Sequence, residues 1–138
     1  MLSLSVGATS ILLPGPPRPD RVFEVIERYR PTLFFSVPSN YANLLACARQ
    51  RGPDFDLSSV RWAVSAGEAL PPVILHRFHD RFGVQILDAL GSTEALHMVI
   101  ANRPGHVRPG SSGQVIPASR HALSMTTIDS WRRARLAA

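Results

Sequence analysis

The sequence predicts an α/β protein in which a parallel sheet of about four strands is flanked by helices. Two observations carry this reading. Short apolar runs of strand type alternate with segments whose apolar residues recur at spacings of three and four, and Pro or Gly interrupts the chain at nearly every change of pattern. Strands that alternate with helices pair in parallel, because each crossover brings the chain back to start the next strand at the same edge. Composition agrees: 138 residues, 45% hydrophobic and 18% charged, are enough for one core and too apolar for a disordered chain.

The elements follow in order. Residues 4–13 (LSVGATSILL) are β-rich and end at the breaker Pro14-Gly15-Pro16-Pro17. Asp20 is placed to cap a helix over roughly 21–30, with Val22, Val25, Ile26 and Tyr29 on one face, and Pro31 stops it. Residues 32–37 (TLFFSV) read as a strand. Pro38 and Ser39 open a second helix that runs to about Gln50, with Tyr41, Leu44, Leu45 and Ala48 as its apolar stripe. Gly52-Pro53-Asp54 ends it, and residues 60–64 (VRWAV) form the next strand. After the turn Ser65-Ala66-Gly67, Pro71 and Pro72 suit the first turn of a third helix, closed by Gly83. Residues 84–87 (VQIL) are a fourth strand that runs into Asp88-Ala89-Leu90-Gly91-Ser92-Thr93-Glu94. From about residue 102 the Pro-Gly and Ser-Gly pairs indicate irregular surface loop.

Charge narrows the function classes. The net charge is +5, but residues 1–117 hold eleven Arg against nine acidic residues, and Arg120, Arg132, Arg133 and Arg135 face only Asp129 in residues 118–138. The basic excess is largely a tail property, and no base-reading or stacking pattern accompanies it, so nucleic acid is not the expected partner. All fifteen basic residues are Arg, which rules out a Lys phosphate clamp, Schiff base or general acid within this chain. The single Cys47 cannot form an internal disulfide. No apolar run reaches the roughly 20 residues needed to span a membrane, and the apolar N-terminal stretch has no basic n-region. A cytoplasmic protein is expected.

In open α/β sheets, ligands bind beyond the carboxyl ends of the strands, and two turns fall there. In LDALGSTE, Gly91 admits close approach to backbone, Ser92 and Thr93 offer hydroxyls to phosphate oxygens, and Glu94 offers the hard oxygen that Mg²⁺ prefers. By itself the pattern favours a capped turn, with Ser92 or Thr93 as cap and Glu94 on the dipole. In SAGEALP, the small residues leave room for a flat group, although alone they favour an ordinary strand-to-helix turn with Glu68 in its first turn.

Together the segments say more. VSAGEALP, then ILDALGSTEALH, then NRPGHVRPGSSGQVIP, preceded by LSVGATSILLPGPPRPDRVFEVIERYRPTLFFSVPSNYANLL, resemble the AMP-forming, adenylate-forming superfamily over roughly residues 2–117. Within it the chain is most similar to acyl-CoA synthetases of the benzoate-CoA ligase kind. The resemblance implies that residues 1–117 are a partial AMP-binding (adenylation) domain, one subdomain of the ligase N-terminal region. It also implies a two-step reaction, in which a carboxylate attacks the α-phosphate of Mg-ATP and coenzyme A then displaces AMP from the acyl-adenylate. By resemblance Thr93 contacts phosphate, Glu94 binds Mg²⁺, and the Gly67-Glu68-Ala69 backbone lines the adenine pocket, which Asp88 helps to hold. Leu90 stands where many members stack a Tyr on the base, a departure that weakens stacking. Ala66, Gly91, His97 and Met98 match positions walling an aryl group, where small Ala66 and Gly91 admit a ring and His97 donates to a polar atom. Read without the family, His97 is equally a partly buried structural His and Met98 is core. His76 and His79 are expected on the solvent face of the third helix.

The family's phosphate loop, its ribose-binding Asp and its C-terminal catalytic Lys have no counterpart here. The resemblance is read to break near Ile116-Pro117, leaving residues 118–138 as a basic tail unlike the family and poorly packed. The expectation is therefore a ligase fragment, inactive alone, whose partners are a carboxylate, a nucleotide and the missing ligase parts. Two alternatives stay open: a non-catalytic nucleotide- or acyl-binding module, and a small basic interaction domain.

Overall fold

The computed structural model describes residues 6–51, 55–95 and 97–117. Helix α1 (Pro19–Tyr29) starts from extended Arg18, with Pro19 in its first turn. Strand β1 (Leu33–Ser36), helix α2 (Pro38–Arg51), strand β2 (Trp62–Ser65), helix α3 (Pro72–Phe82) and strand β3 (Ile86–Gly91) follow, then strands β4 (Met98–Ala101) and β5 (Gln114–Val115). The five strands make one sheet in the order β1-β2-β3-β4-β5. The first three are parallel. The last two run antiparallel.

Right-handed crossovers in the sequential order β1-β2-β3 place α2 and α3 on the same face of the sheet, and α2 packs against both α1 and α3. The core lies between these helices and that face. Val22, Phe23 and Ile26 of α1, Tyr41, Leu44 and Ala48 of α2, and Leu75 and Phe78 of α3 close over Ala63 and Ile86. Tyr41 is fully buried and meets Phe34 and Phe78 edge-on, at 5.6 and 5.0 Å between centroids. Its hydroxyl donates to the Val64 carbonyl at 2.9 Å and lies 3.3 Å from that of Phe34, which satisfies the polar tip of a buried ring. Burial pushes the Tyr41 phenol far above its ordinary range.

Alternation along β1 turns Phe34 to this core and Leu33 and Phe35 to the opposite face, where the two are 46% and 59% exposed.

Several expectations need correction. Among the described residues, 6–13 of the first expected strand form no sheet ladder, and Val6 and Leu12 are exposed. An apolar run without a neighbouring edge does not make a strand; residues 4 and 5 lie outside the described residues. Asp20 is not the cap of α1. It sits inside the first turn, 3.5 Å from the Arg18 guanidinium, and Arg18 holds the cap position without a side-chain capping bond. The apolar stripe of α1 is turned toward Phe23, leaving Tyr29 exposed. The sheet is mixed, because the chain after β3 returns as a hairpin instead of crossing over; β4 and β5 have no counterpart among the expected strands. The expected packing of residues 118–138 lies outside the described residues.

Candidate functional site

Parallel pairing delivers the ends of β1, β2 and β3 to one edge, with Ser36 opposite Ser65 and Ser65 opposite Asp88. The turn after β2 needs Gly67, whose φ of 91° is costly for any side-chain-bearing residue. The turn after β3 needs Gly91 for a different reason. A Cβ there would lie 2.7 Å from the His97 carbonyl oxygen and 2.9 Å from Met98 Cα, so β3 and β4 approach too closely for any side chain. The register between them shifts at Leu90 and Gly91, the irregularity of a bulge.

Between the two turns lies an open cleft of about 390 Å³, lined by Ala66, Gly67, Gly91, Ser92, Thr93, His97 and Met98. Five of the expected site residues that line it (Ala66, Gly67, Gly91, His97 and Met98) come from the adenine and aryl groups, and Thr93 comes from the phosphate group. Ser92, left as a cap or a phosphate hydroxyl by the sequence, caps the turn: its Oγ accepts from the Ala95 N–H at 3.3 Å. Glu94 is exposed beside Thr93. Its own backbone N–H, and then the Ser92 hydroxyl, hold its carboxyl below the usual range, which keeps it ionised. His97 Nδ1 donates to the Met98 carbonyl, which leaves Nε2 as the ring's other polar atom.

Other expected residues sit elsewhere. Glu68 is exposed and turns back to α2, where its carboxylate accepts from the Ser39 hydroxyl at 2.9 Å and the Ser39 N–H at 3.2 Å. It thus favours the start of the preceding helix, not that of its own. Ala69 is exposed, and Leu90 is 53% exposed. Asp88 is buried and does not line the cleft. Its Oδ2 accepts from the Ser112 hydroxyl at 3.1 Å, and its Oδ1 is buried without a partner, as is the hydroxyl of its neighbour Ser65. Burial raises the Asp88 carboxyl above its ordinary value, against the Ser112 bond and the Ala89 amide. His76 and His79 are exposed on α3.

Sequence reasoning missed Asn102. Its side chain is buried, donating to the Ser111 carbonyl at 2.6 Å and the Asp88 carbonyl at 3.3 Å, and accepting from the Arg108 N–H at 3.0 Å. It fastens the loop after β4 to β3. The only local signal was an amide side chain at a strand end before Arg-Pro-Gly.

Thr93 and Glu94 offer oxygen donors, and one ionised carboxylate suits Mg²⁺, which keeps waters and substrate oxygens as its other ligands. Among the described residues no three His, Cys, Asp or Glu side chains converge on a metal position.

The AMP-binding enzyme family matches residues 1–123. The chain belongs to that family. The match continues past residue 117, beyond the point where the sequence pattern was read to break. The benzoate–CoA ligase of Thauera aromatica is 44% identical over 123 residues, covering 87% of this chain and 22% of the relative. The anthranilate–CoA ligase of Pseudomonas aeruginosa is 41% identical over 111 residues, covering 80% and 20%. Among solved structures, an anthranilate CoA ligase in complex with anthranoyl-AMP superimposes with a TM-score of 0.75 at 43% identity, covering 80% of this chain and 21% of that one. A benzoate CoA ligase from Burkholderia xenovorans LB400 gives 0.74 at 43%, covering 83% and 23%. The chain thus spans about a fifth of the length of these relatives.

Proposed function

We propose that the cleft is one side of a site at which an AMP-forming ligase activates an aryl carboxylate and passes it to coenzyme A. The observation that carries this reading is the meeting of the two motif turns, 65–70 and 91–94, around one open cleft at the carboxyl edge of the parallel strands. Ala66, Gly91, His97 and Met98 would border the aryl ring. With Nδ1 engaged by the Met98 carbonyl, His97 Nε2 is left to meet a polar substituent of that ring. The backbone of Gly67, Glu68 and Ala69 would run along the adenine, with Asp88 beneath and Leu90 covering a face with an aliphatic side chain.

Thr93 would donate its hydroxyl to a phosphate oxygen, and the ionised Glu94 would hold Mg²⁺. That ion, when bound, neutralises phosphate charge. The chain's own part is to orient the phosphate and keep a carboxylate ionised where the cation sits. A cytoplasmic setting goes with ATP and coenzyme A as co-substrates, and among the described residues no helix is long and apolar enough to cross a membrane.

Adenylyl transfer depends on neutralising charge in the transition state, and this chain contributes no Lys. Incubated alone with ATP, Mg²⁺, benzoate and coenzyme A, it is expected to release no pyrophosphate above background. Dose-dependent release from the pure 138-residue chain would overturn the view that its residues form only part of a site.

A further inference from the structure

The two faces of the parallel strands are unequally covered. One carries the three helices found among the described residues. On the other, strand register lines up Leu33 with Trp62, and Phe35 with Val64 and then Leu87. Leu33 and Phe35 are exposed, and Trp62 and Val64 are half-buried. These strands are parallel, and parallel strands are found almost only where both faces are covered. A contiguous apolar row at the centre of such a face marks a contact surface.

We propose that this second face, centred on Phe35, is a packing surface for the ligase polypeptide that relatives carry outside the matched segment. Coverage argues for that occupant. In the relatives and solved structures matched here, about four-fifths of each chain lies outside the part this chain resembles. The face is also continuous with the cleft: Val37, two residues beyond Phe35, lies 3.6 Å from where a Gly67 side chain would begin. An occupant seated on Phe35 and Val64 would reach the open side of the cleft and add to its wall. The inference rests on the ligase reading, but its test uses no ligand.

The test is co-expression of the full 138-residue chain with the two remaining segments of the Thauera aromatica benzoate–CoA ligase, read by co-purification. The native chain is expected to co-purify. Phe35→Asp is expected to reduce recovery by at least about tenfold, since it places a carboxylate in a desolvated contact. Val73→Asp, at an exposed position on α3, is expected to leave recovery unchanged. Both variants alter exposed side chains, and unchanged circular dichroism and melting of each chain alone would separate lost contact from lost fold. Failure of the native chain to co-purify overturns the proposal, as does equal recovery of all three. A homodimer of the native chain that Phe35→Asp dissociates, seen by sedimentation, also overturns it and assigns the face to a second copy.

Discussion

Residues 19–91 and residues 92–117 hold together in different ways. The first stretch buries apolar faces of three helices on three parallel strands, and its polar bonds are mostly backbone ladders. The second adds β4 and β5 through backbone ladders, and the loop between them is fastened by a few side chains: Asn102 to Asp88, Ser111 and Arg108, and Ser112 to Asp88. The difference teaches where each kind of damage should spread. A defect in the apolar layer weakens everything that shares it, whereas a defect in the returning loop releases only the segment that one side chain held.

The largest effect should come from the apolar layer. Phe78 is fully buried against Tyr41 and Phe82, and Phe78→Ala is expected to cost about 3–5 kcal/mol through lost burial and a cavity. Urea unfolding would show a lower midpoint. A loss of under about 1 kcal/mol would mean that the helix layer is loosely packed and that the contrast between the halves is false.

Asn102→Ala should cost less, about 2 kcal/mol, because it removes three bonds of one buried side chain without opening the core. Its distinctive result is local: amide exchange should accelerate at Arg108 and its neighbours, while β1 and β2 keep their protection. Uniform acceleration across both halves would show that the loop is part of the same cooperative unit.

The same contrast explains what could be read in advance. Tyr41, Leu44 and Ala48 announce a buried helix face by spacing alone, and Pro38 and Gly83 mark helix ends. Such signals are local. The first expected strand failed because apolar composition at residues 6–13 says nothing about an available neighbour. Asn102 and Ser112 were invisible because their partners lie 6 to 24 residues away, and no periodicity encodes a single long-range bond. At the site, the motif turns were legible as residues but not as geometry. Gly91 is small because the backbone of His97 crosses it, and Glu68 serves Ser39 of the preceding helix.

The smallest effect concerns pH. Burial raises the folded-state carboxyl of Asp88 above its ordinary value of 3.8. Its stabilising contribution is therefore complete below that value and is lost as pH rises through the folded value. Asp56 acts in the opposite sense. Bonds from Ser58 and Arg30 lower its carboxyl, so its contribution is present above 3.8 and lost as pH falls. The stability difference between the native chain and Asp88→Asn should thus shift in favour of Asn as pH is raised from about 3 to 7. A flat difference would mean that Asp88 titrates as it does in the unfolded chain.

The ligase reading is tested most directly by titrating ATP-Mg²⁺ into the chain and following backbone amide NMR shifts. Leu90 offers the base less than a stacked aromatic ring would, so binding should be millimolar or weaker, about 4 kcal/mol at most. The shifts should be confined to residues 65–70 and 88–94 and vanish with Glu94→Ala. Saturable micromolar binding centred on Arg132, Arg133 and Arg135, with those two turns unmoved, would contradict the account.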